Sequence, residues 1–273
     1  MKKTYKNPGG YRLLALDMDN TLFDESLEIS PRTERAIRAA VEKGVTVLLA
    51  TGRMFRSALP FAERLGLGDV PLITYNGALV KTTRGRETLF HEPVPLPAAR
   101  RIVEAAEERG YHYQVFVDDK LYVKEINEKV KRYQAIARVE AHQVGNIREW
   151  LKKPPTKMLV FEPAHEIKGI QDLLEGLVGD QVNLTISFPF FLEIVSLRAS
   201  KGAALEGVAR RLGIRASEII AVGDSFNDLS MLEYAGLGVA VENAPDGVKR
   251  KANYITASCW ADGVAHVIET FLL

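Results

Sequence analysis

The chain has 273 residues, 47% of them hydrophobic and 26% charged, enough to bury a sizeable core in one large domain or two moderate ones. Thirty-six basic residues against 35 acidic leave a net charge of +1, which excludes a global field that would attract nucleic acid or an anionic membrane surface. A single cysteine, Cys259, excludes an internal disulfide and a thiolate metal site, and no stretch has the length of a membrane span.

The polar segment Met1 to Gly10 carries Lys2, Lys3 and Lys6, and the apolar run after it is too short for the core of a signal peptide. The expectation is a cytoplasmic protein with no nucleic-acid or membrane partner. That run, Leu13 to Leu16, reads as a buried strand and ends in Asp17-Met18-Asp19-Asn20-Thr21. Alternate residues of an extended chain point the same way, so Asp17 and Asp19 lie together where open α/β sheets place their ligand crevice. Two like charges so close repel unless a cation lies between them, and an all-oxygen pair suits a hard ion such as Mg²⁺. Asp and Asn also form ordinary turns, and this stretch alone leaves both readings standing.

Ser30-Pro31, apolar residues at helical spacing and Gly44 predict a helix with an N-cap, a first-turn proline and a closing glycine. Val45 to Ala50 is the next buried strand, running into Thr51-Gly52-Arg53 and a helix to about Gly66. A strand, a small turn and a helix start can face an anion with free N–H groups and a hydroxyl, although Thr51 could equally cap the helix. A third strand, Pro71 to Tyr75, leads into Asn76-Gly77-Ala78.

The pattern then changes. A helix from Pro97 to Arg109 precedes a hairpin of Tyr111 to Val117 and Leu121 to Lys124 around Asp118-Asp119-Lys120. Strands Thr156 to Phe161 and Val182 to Phe188 flank a helix at Glu166 to Val178, and Phe191 to Val195 follows Pro189. The block 83–192 therefore reads as an α+β module inserted into a βα domain formed by 1–82 and 193–273. The βα alternation returns with Ser200-Lys201-Gly202 before the helix Ala203 to Leu212. A lysine in a first helical turn is unfavourable beside the positive end of the dipole, and an anion nearby would offset that. Strand Ile219 to Val222 then delivers Gly223-Asp224-Ser225-Phe226-Asn227-Asp228, a second acidic strand end. If both acidic ends share one sheet edge, Asp17, Asp19, Asp224 and Asp228 supply oxygens to Mg²⁺ while Thr51 and Lys201 face a phosphate. The chain closes with strand Val239 to Val241, a helix from Ala244 to Lys251, Tyr254-Ile255-Thr256 and an amphipathic helix over 262–272.

These four stretches, in this order, resemble the motifs of the haloacid dehalogenase superfamily of phosphohydrolases: Asp17 to Thr21, Thr51-Gly52-Arg53, Lys201, and Gly223 to Asp228. Asn76-Gly77-Ala78 and the insert resemble its Cof-type subgroup with a type IIB cap. The resemblance implies an α/β, Rossmann-like core with a parallel sheet and an inserted α+β cap domain. It implies a Mg²⁺-dependent phosphatase in which Asp17 is the nucleophile, forming an aspartyl-phosphate, and Asp19 the general acid and base. Asp17, the Asp19 backbone carbonyl and Asp224 would hold the metal, while Thr51, Gly52, Lys201 and Asn227 would bind the phosphoryl group. Asp228, Arg53 and Asn76 would support them.

The partner so implied is a small phosphorylated metabolite, a sugar phosphate or phosphorylated cofactor, with the cap closing over it; His112, Tyr113, Asp118, Tyr122, Lys157 and Glu193 are the candidate cap contacts. Two departures stand out: Asn20, where the family mostly has glycine, and Ser258-Cys259-Trp260-Ala261-Asp262-Gly263, where the subgroup is mostly more polar. A phosphomutase of the phosphomannomutase type, a signalling receiver and a non-catalytic binder of phosphorylated sugars are the competing readings, although receivers are about half this length and lack the insert and a second acidic loop. Oligomeric state stays open between monomer and homodimer.

Overall fold

All four side chains of the strand Leu13–Leu16 are fully buried, the pattern of a strand covered on both faces. The computed structural model describes residues 10–24 and 26–273, so Lys2, Lys3 and Lys6 lie outside the described residues. Leu13–Leu16 sits inside a five-stranded parallel sheet in the order Tyr254–Thr256, Leu237–Val241, Ile219–Gly223, Leu13–Leu16, Thr46–Leu49. Its apolar strands are joined through helices, as parallel pairing requires. Pro31–Glu42 begins as its sequence predicts: Ser30 is the N-cap, its hydroxyl accepting from the Thr33 N–H, and proline follows at the first position. The last helix, Gly263–Phe271, packs on it, and Arg32 clasps Glu269 across the pair.

Pro71–Thr74 leaves the parallel ladder after one bridge to Ala50 and turns back as an antiparallel pair with Leu79–Thr82. The sequence pattern did not reveal that hairpin.

The chain divides into two units. One takes in the chain up to Gly52, Ala58–Leu89 and Ser200–Leu273; the other comprises Arg53–Ser57 and Phe90–Ala199. These borders lie later than 83 and 192 for a structural reason. Beyond Leu79–Thr82 the chain stays bonded to the first unit's hairpin, the Thr82 N–H donating to the Glu87 carbonyl, whereas Phe191–Ser196 is an interior strand of the second unit's sheet, paired on both sides.

That second sheet has six strands, in the order Val182–Phe188, Phe191–Ser196, Lys157–Phe161, Tyr113–Val117, Lys120–Val123, Ala141–Gln143. All neighbours are antiparallel except the last pair. Helices Leu96–Arg109 and Ala164–Val178 cover one face, packing Ala98, Ile102, Ile167 and Leu174 against Tyr113, Val115, Met158 and Ile194. In the same unit the Asp119 carboxylate accepts from the backbone N–H groups of Phe55 and Arg56, at the start of the helix Phe55–Arg64. Among the described residues no helix is long and apolar enough to cross a membrane.

Candidate active site

Register brings the chemistry together. Leu16 lies opposite Val222 on one side and Leu49 on the other, so these three adjacent strands end level with one another. Their next residues are Asp17, Gly223-Asp224 and Ala50-Thr51, all at the carboxyl edge of the sheet. Asp17 is tied there by its N–H to the Val222 carbonyl, at 2.9 Å. The chain then turns tightly: the N–H groups of Thr21, Leu22 and Phe23 all converge on the Met18 carbonyl, and Asn20 takes a left-handed φ of 58°. Asparagine tolerates that conformation, which is why it can stand where glycine is usual.

Lys201 opens the helix Lys201–Leu212, two residues before the expected start, behind the Ser200 N-cap. Its ammonium is fully buried and donates to Asp17 Oδ1 and Asp228 Oδ1, each at 2.6 Å. The two carboxylates offset the cost of a cation at a helix N-terminus. Burial pulls the Lys201 ammonium down, but Asp17 and Asp228 outweigh it and hold it well above the ordinary lysine range.

Asp228 is spent on scaffolding. Besides Lys201, it accepts the N–H groups of Asp224 and Ser225 on Oδ2, both at 3.0 Å, folding the loop back onto its own strand. Glycine is required at 223, since a Cβ there would lie 2.6 Å from the Asp228 side chain.

Asp17, Asp224 and Asp228 place one carboxylate oxygen each within 4.8 Å of one another, the only such acidic group among the described residues. Burial, then the Asp228 charge, push Asp17 well above the usual carboxylate range, and the same causes push Asp224 up to about 7. Three buried carboxylates against one ammonium leave uncompensated negative charge. With Asp228 already engaged on both oxygens, Asp17 and Asp224 are the donors left for a cation, and an all-oxygen set fits a hard divalent ion. The Thr21 hydroxyl steadies Asp224 from the first motif, at 3.3 Å.

Thr51 is buried, its N–H on the Ile73 carbonyl and its carbonyl accepting the Asn76 N–H. Asn227 donates to Asn76 Oδ1 at 3.0 Å and accepts from the Ser225 hydroxyl at 2.7 Å. Asp19 is half-buried and bridges to Phe23, and its carboxylate is not one of the triad. Gly52 and Arg53 are half-buried, and Arg53 groups with the inserted unit. Two contributors went unassigned in the sequence, Thr21 and Ser225, although both lie inside the quoted motifs. Their role depends on which way a hydroxyl points, which no spacing encodes.

Within the inserted unit, Tyr113 is a core residue whose hydroxyl donates to Glu107, and the Tyr122 ring lies tilted against Trp150, centroids 4.2 Å apart. Asp118 pairs with Lys153 at the surface. Lys157 and Glu193 form a buried ion pair at 3.3 Å, with Ser187 donating to the same Glu193 oxygen. His112 is half-buried beside Asn127, Gln114 and Glu162. In the departing stretch near the carboxyl terminus, Asn243 accepts the Cys259 N–H and donates to the Asn20 carbonyl, while Trp260 stands 70% exposed.

A family model described as haloacid dehalogenase-like hydrolase matches residues 14–268. The 5-amino-6-(5-phospho-D-ribitylamino)uracil phosphatase YcsE of Bacillus subtilis is 32% identical, over 96% of this chain and 96% of its own. Among solved structures, TM0651 from Thermotoga maritima superposes with a TM-score of 0.86 at 33% identity, covering 95% of this chain and 97% of that one. The subclass IIB sugar phosphatase BT4131 superposes with a TM-score of 0.82 at 25% identity, covering 95% and 98%.

Proposed function

The chain belongs to the haloacid dehalogenase-like hydrolase family, and on that premise we propose that it hydrolyses phosphate monoesters of small metabolites, sugar phosphates or phosphorylated cofactors, in a Mg²⁺-dependent reaction through an aspartyl-phosphate on Asp17. The family and its named phosphatases make the coarser statement, an enzyme that is a phosphatase of small phosphorylated metabolites. The observation that carries the finer one is the buried Lys201 ammonium bridging Asp17 and Asp228 beside Asp224.

Asp17 attacks phosphorus in line, and the bond to the leaving oxygen breaks as Asp19 delivers a proton to it. Asp19 then takes a proton from the water that attacks the phosphorus of the aspartyl-phosphate, which returns Asp17 as a carboxylate and releases inorganic phosphate. Lys201, the Thr51 hydroxyl and N–H groups of the second motif, and the Asn227 amide hold the phosphoryl oxygens as charge shifts. Asp228 takes no part in bond changes; it fixes Lys201 and the loop that carries Asp224. Asp17, Asp224 and the Asp19 backbone carbonyl would hold a Mg²⁺, which would supply charge that screens the anionic nucleophile from the anionic phosphate.

The test is release of inorganic phosphate from p-nitrophenyl phosphate and a panel of phosphorylated sugars and cofactors, with Mg²⁺ or EDTA. Release that requires Mg²⁺ and vanishes in Asp17→Asn is the expected result. A folded wild-type protein that releases nothing from any member of the panel, or an Asp17→Asn variant with undiminished turnover, refutes the reading.

A further inference from the structure

Three successive residues, Tyr75, Asn76 and Gly77, hold φ values of 53°, 56° and 93°. Only glycine adopts that region at ease, so a buried run of this kind persists where its surroundings fix it from several sides. Here they do. The Asn76 N–H donates to the Thr51 carbonyl at 3.0 Å, which ties the turn to the second motif. Gly77 lies against Ser200, close enough that a Cβ would sit 2.1 Å from the Ser200 carbonyl oxygen and 3.0 Å from the Lys201 backbone nitrogen, which ties it to the third. The Asn76 side-chain carbonyl accepts from Asn227 Nδ2 at 3.0 Å, which ties it to the fourth. One turn, itself outside the four motifs, thus touches three of them.

The contact to Asn227 differs from the others because it is made by a side chain to a side chain. The Asn227 carbonyl oxygen is taken by the Ser225 hydroxyl, so the amide cannot rotate without losing two hydrogen bonds. One N–H goes to Asn76 and the amide plane is set, leaving the second N–H to meet a phosphoryl oxygen.

We propose that Asn76 is a positioning residue for phosphoryl transfer, whose side-chain carbonyl orients the Asn227 amide toward the phosphoryl group. The proposal rests on the phosphatase reading above and adds to it a residue that never touches the reacting atoms.

The experiment is a double-mutant cycle read in kcat/KM for p-nitrophenyl phosphate with Mg²⁺. Asn76→Gly deletes the acceptor and keeps the left-handed backbone, and Asn227→Ala deletes the amide. Removing a group that meets the transition state directly costs roughly 100-fold, so the loss of its orienting partner is expected at about 10-fold. In the Asn227→Ala background the Asn76→Gly loss is expected to shrink to within about twofold, because groups acting as one unit are not additive. A turn that merely loosened would lower activity in both backgrounds alike, so equal losses overturn the proposal, as does an Asn76→Gly enzyme at the wild-type level. Should Asn76→Gly fail to fold, Asn76→Asp keeps both an acceptor for Asn227 and the turn preference, so its kcat/KM is expected within about twofold of the wild type, and a larger loss overturns the proposal. Absence of phosphate release from the wild type overturns the phosphatase reading as well; wild-type release with equal losses in both backgrounds overturns the positioning role alone.

Discussion

Lys201 holds Asp17 at 2.6 Å with the ammonium wholly out of solvent, and the same nitrogen holds Asp228 at 2.6 Å. Removing one member of such a buried arrangement leaves the others charged and unpaired. Lys201→Met, which conserves length, is expected to lower stability by about 3–5 kcal/mol and to abolish phosphate release. Urea unfolding followed by circular dichroism measures the first, and an unchanged midpoint would show that the carboxylates do not depend on the ammonium.

The Thr21 hydroxyl donates to Asp224 Oδ1 at 3.3 Å. Thr21→Val keeps the shape and removes the hydrogen bond. Partners of metal-binding carboxylates typically contribute 10-fold or more to affinity, so the Mg²⁺ concentration giving half-maximal activity is expected to rise about 10-fold with kcat at saturating Mg²⁺ nearly preserved. A Mg²⁺ titration superimposable on the wild type would remove Thr21 from the account.

Gly77 and Gly213 both have positive φ, 93° and 63°, but only Gly77 is crowded, and a Cβ at Gly213 meets nothing within 4 Å. Gly213→Ala is expected to cost about 1 kcal/mol, the backbone preference alone. Gly77→Ala adds a collision with the backbone of Ser200, which cannot move without shifting Lys201, so roughly 3 kcal/mol or more is expected, together with loss of activity. Comparable melting temperatures for the two variants would contradict the close approach.

Much of the site was legible because its residues sit at strand ends and helix starts that periodicity locates. Asp17, Thr51 and Asp224 end apolar runs, and Lys201 follows a serine cap. The lysine's awkward place beside a helix dipole pointed to anionic partners, and the structure supplies two. The pairing of Asn76 with Asn227 spans 151 positions, and nothing local marks either end of it. The helix Glu128–Ala137 was missed for another reason: only Val130 and Tyr133 of its ten residues are buried, too few to imprint a helical period. Ala141–Gln143, a three-residue edge strand, carries even less signal.

His112 gives the inserted unit a pH dependence whose sign can be worked out. Its ring faces the amide nitrogens of Asn127, 3.4 Å from Nδ1, and Gln114, 3.3 Å from Nε2; Lys129 and Glu162 lie nearby, and the Phe161 ring stands edge-on. A neutral ring can accept from one amide, whereas a doubly protonated ring can accept from neither. Burial first, then the Lys129 charge, lower the imidazole to about 4 from the ordinary 6.5, with Glu162 opposing. The folded state therefore keeps His112 neutral while the unfolded chain takes up a proton below about pH 6.5. Between pH 6.5 and about 4 the unfolded state binds more protons, so stability falls as pH falls, by roughly 3 kcal/mol at most across the window. Above pH 6.5 His112 contributes no slope. His112→Gln has no proton to bind in either state, so the difference between wild-type and variant unfolding free energies should change through that window and stay flat from pH 7 to 8.5. A difference that is flat from pH 4.5 to 8.5 would show that the ring titrates alike in both states.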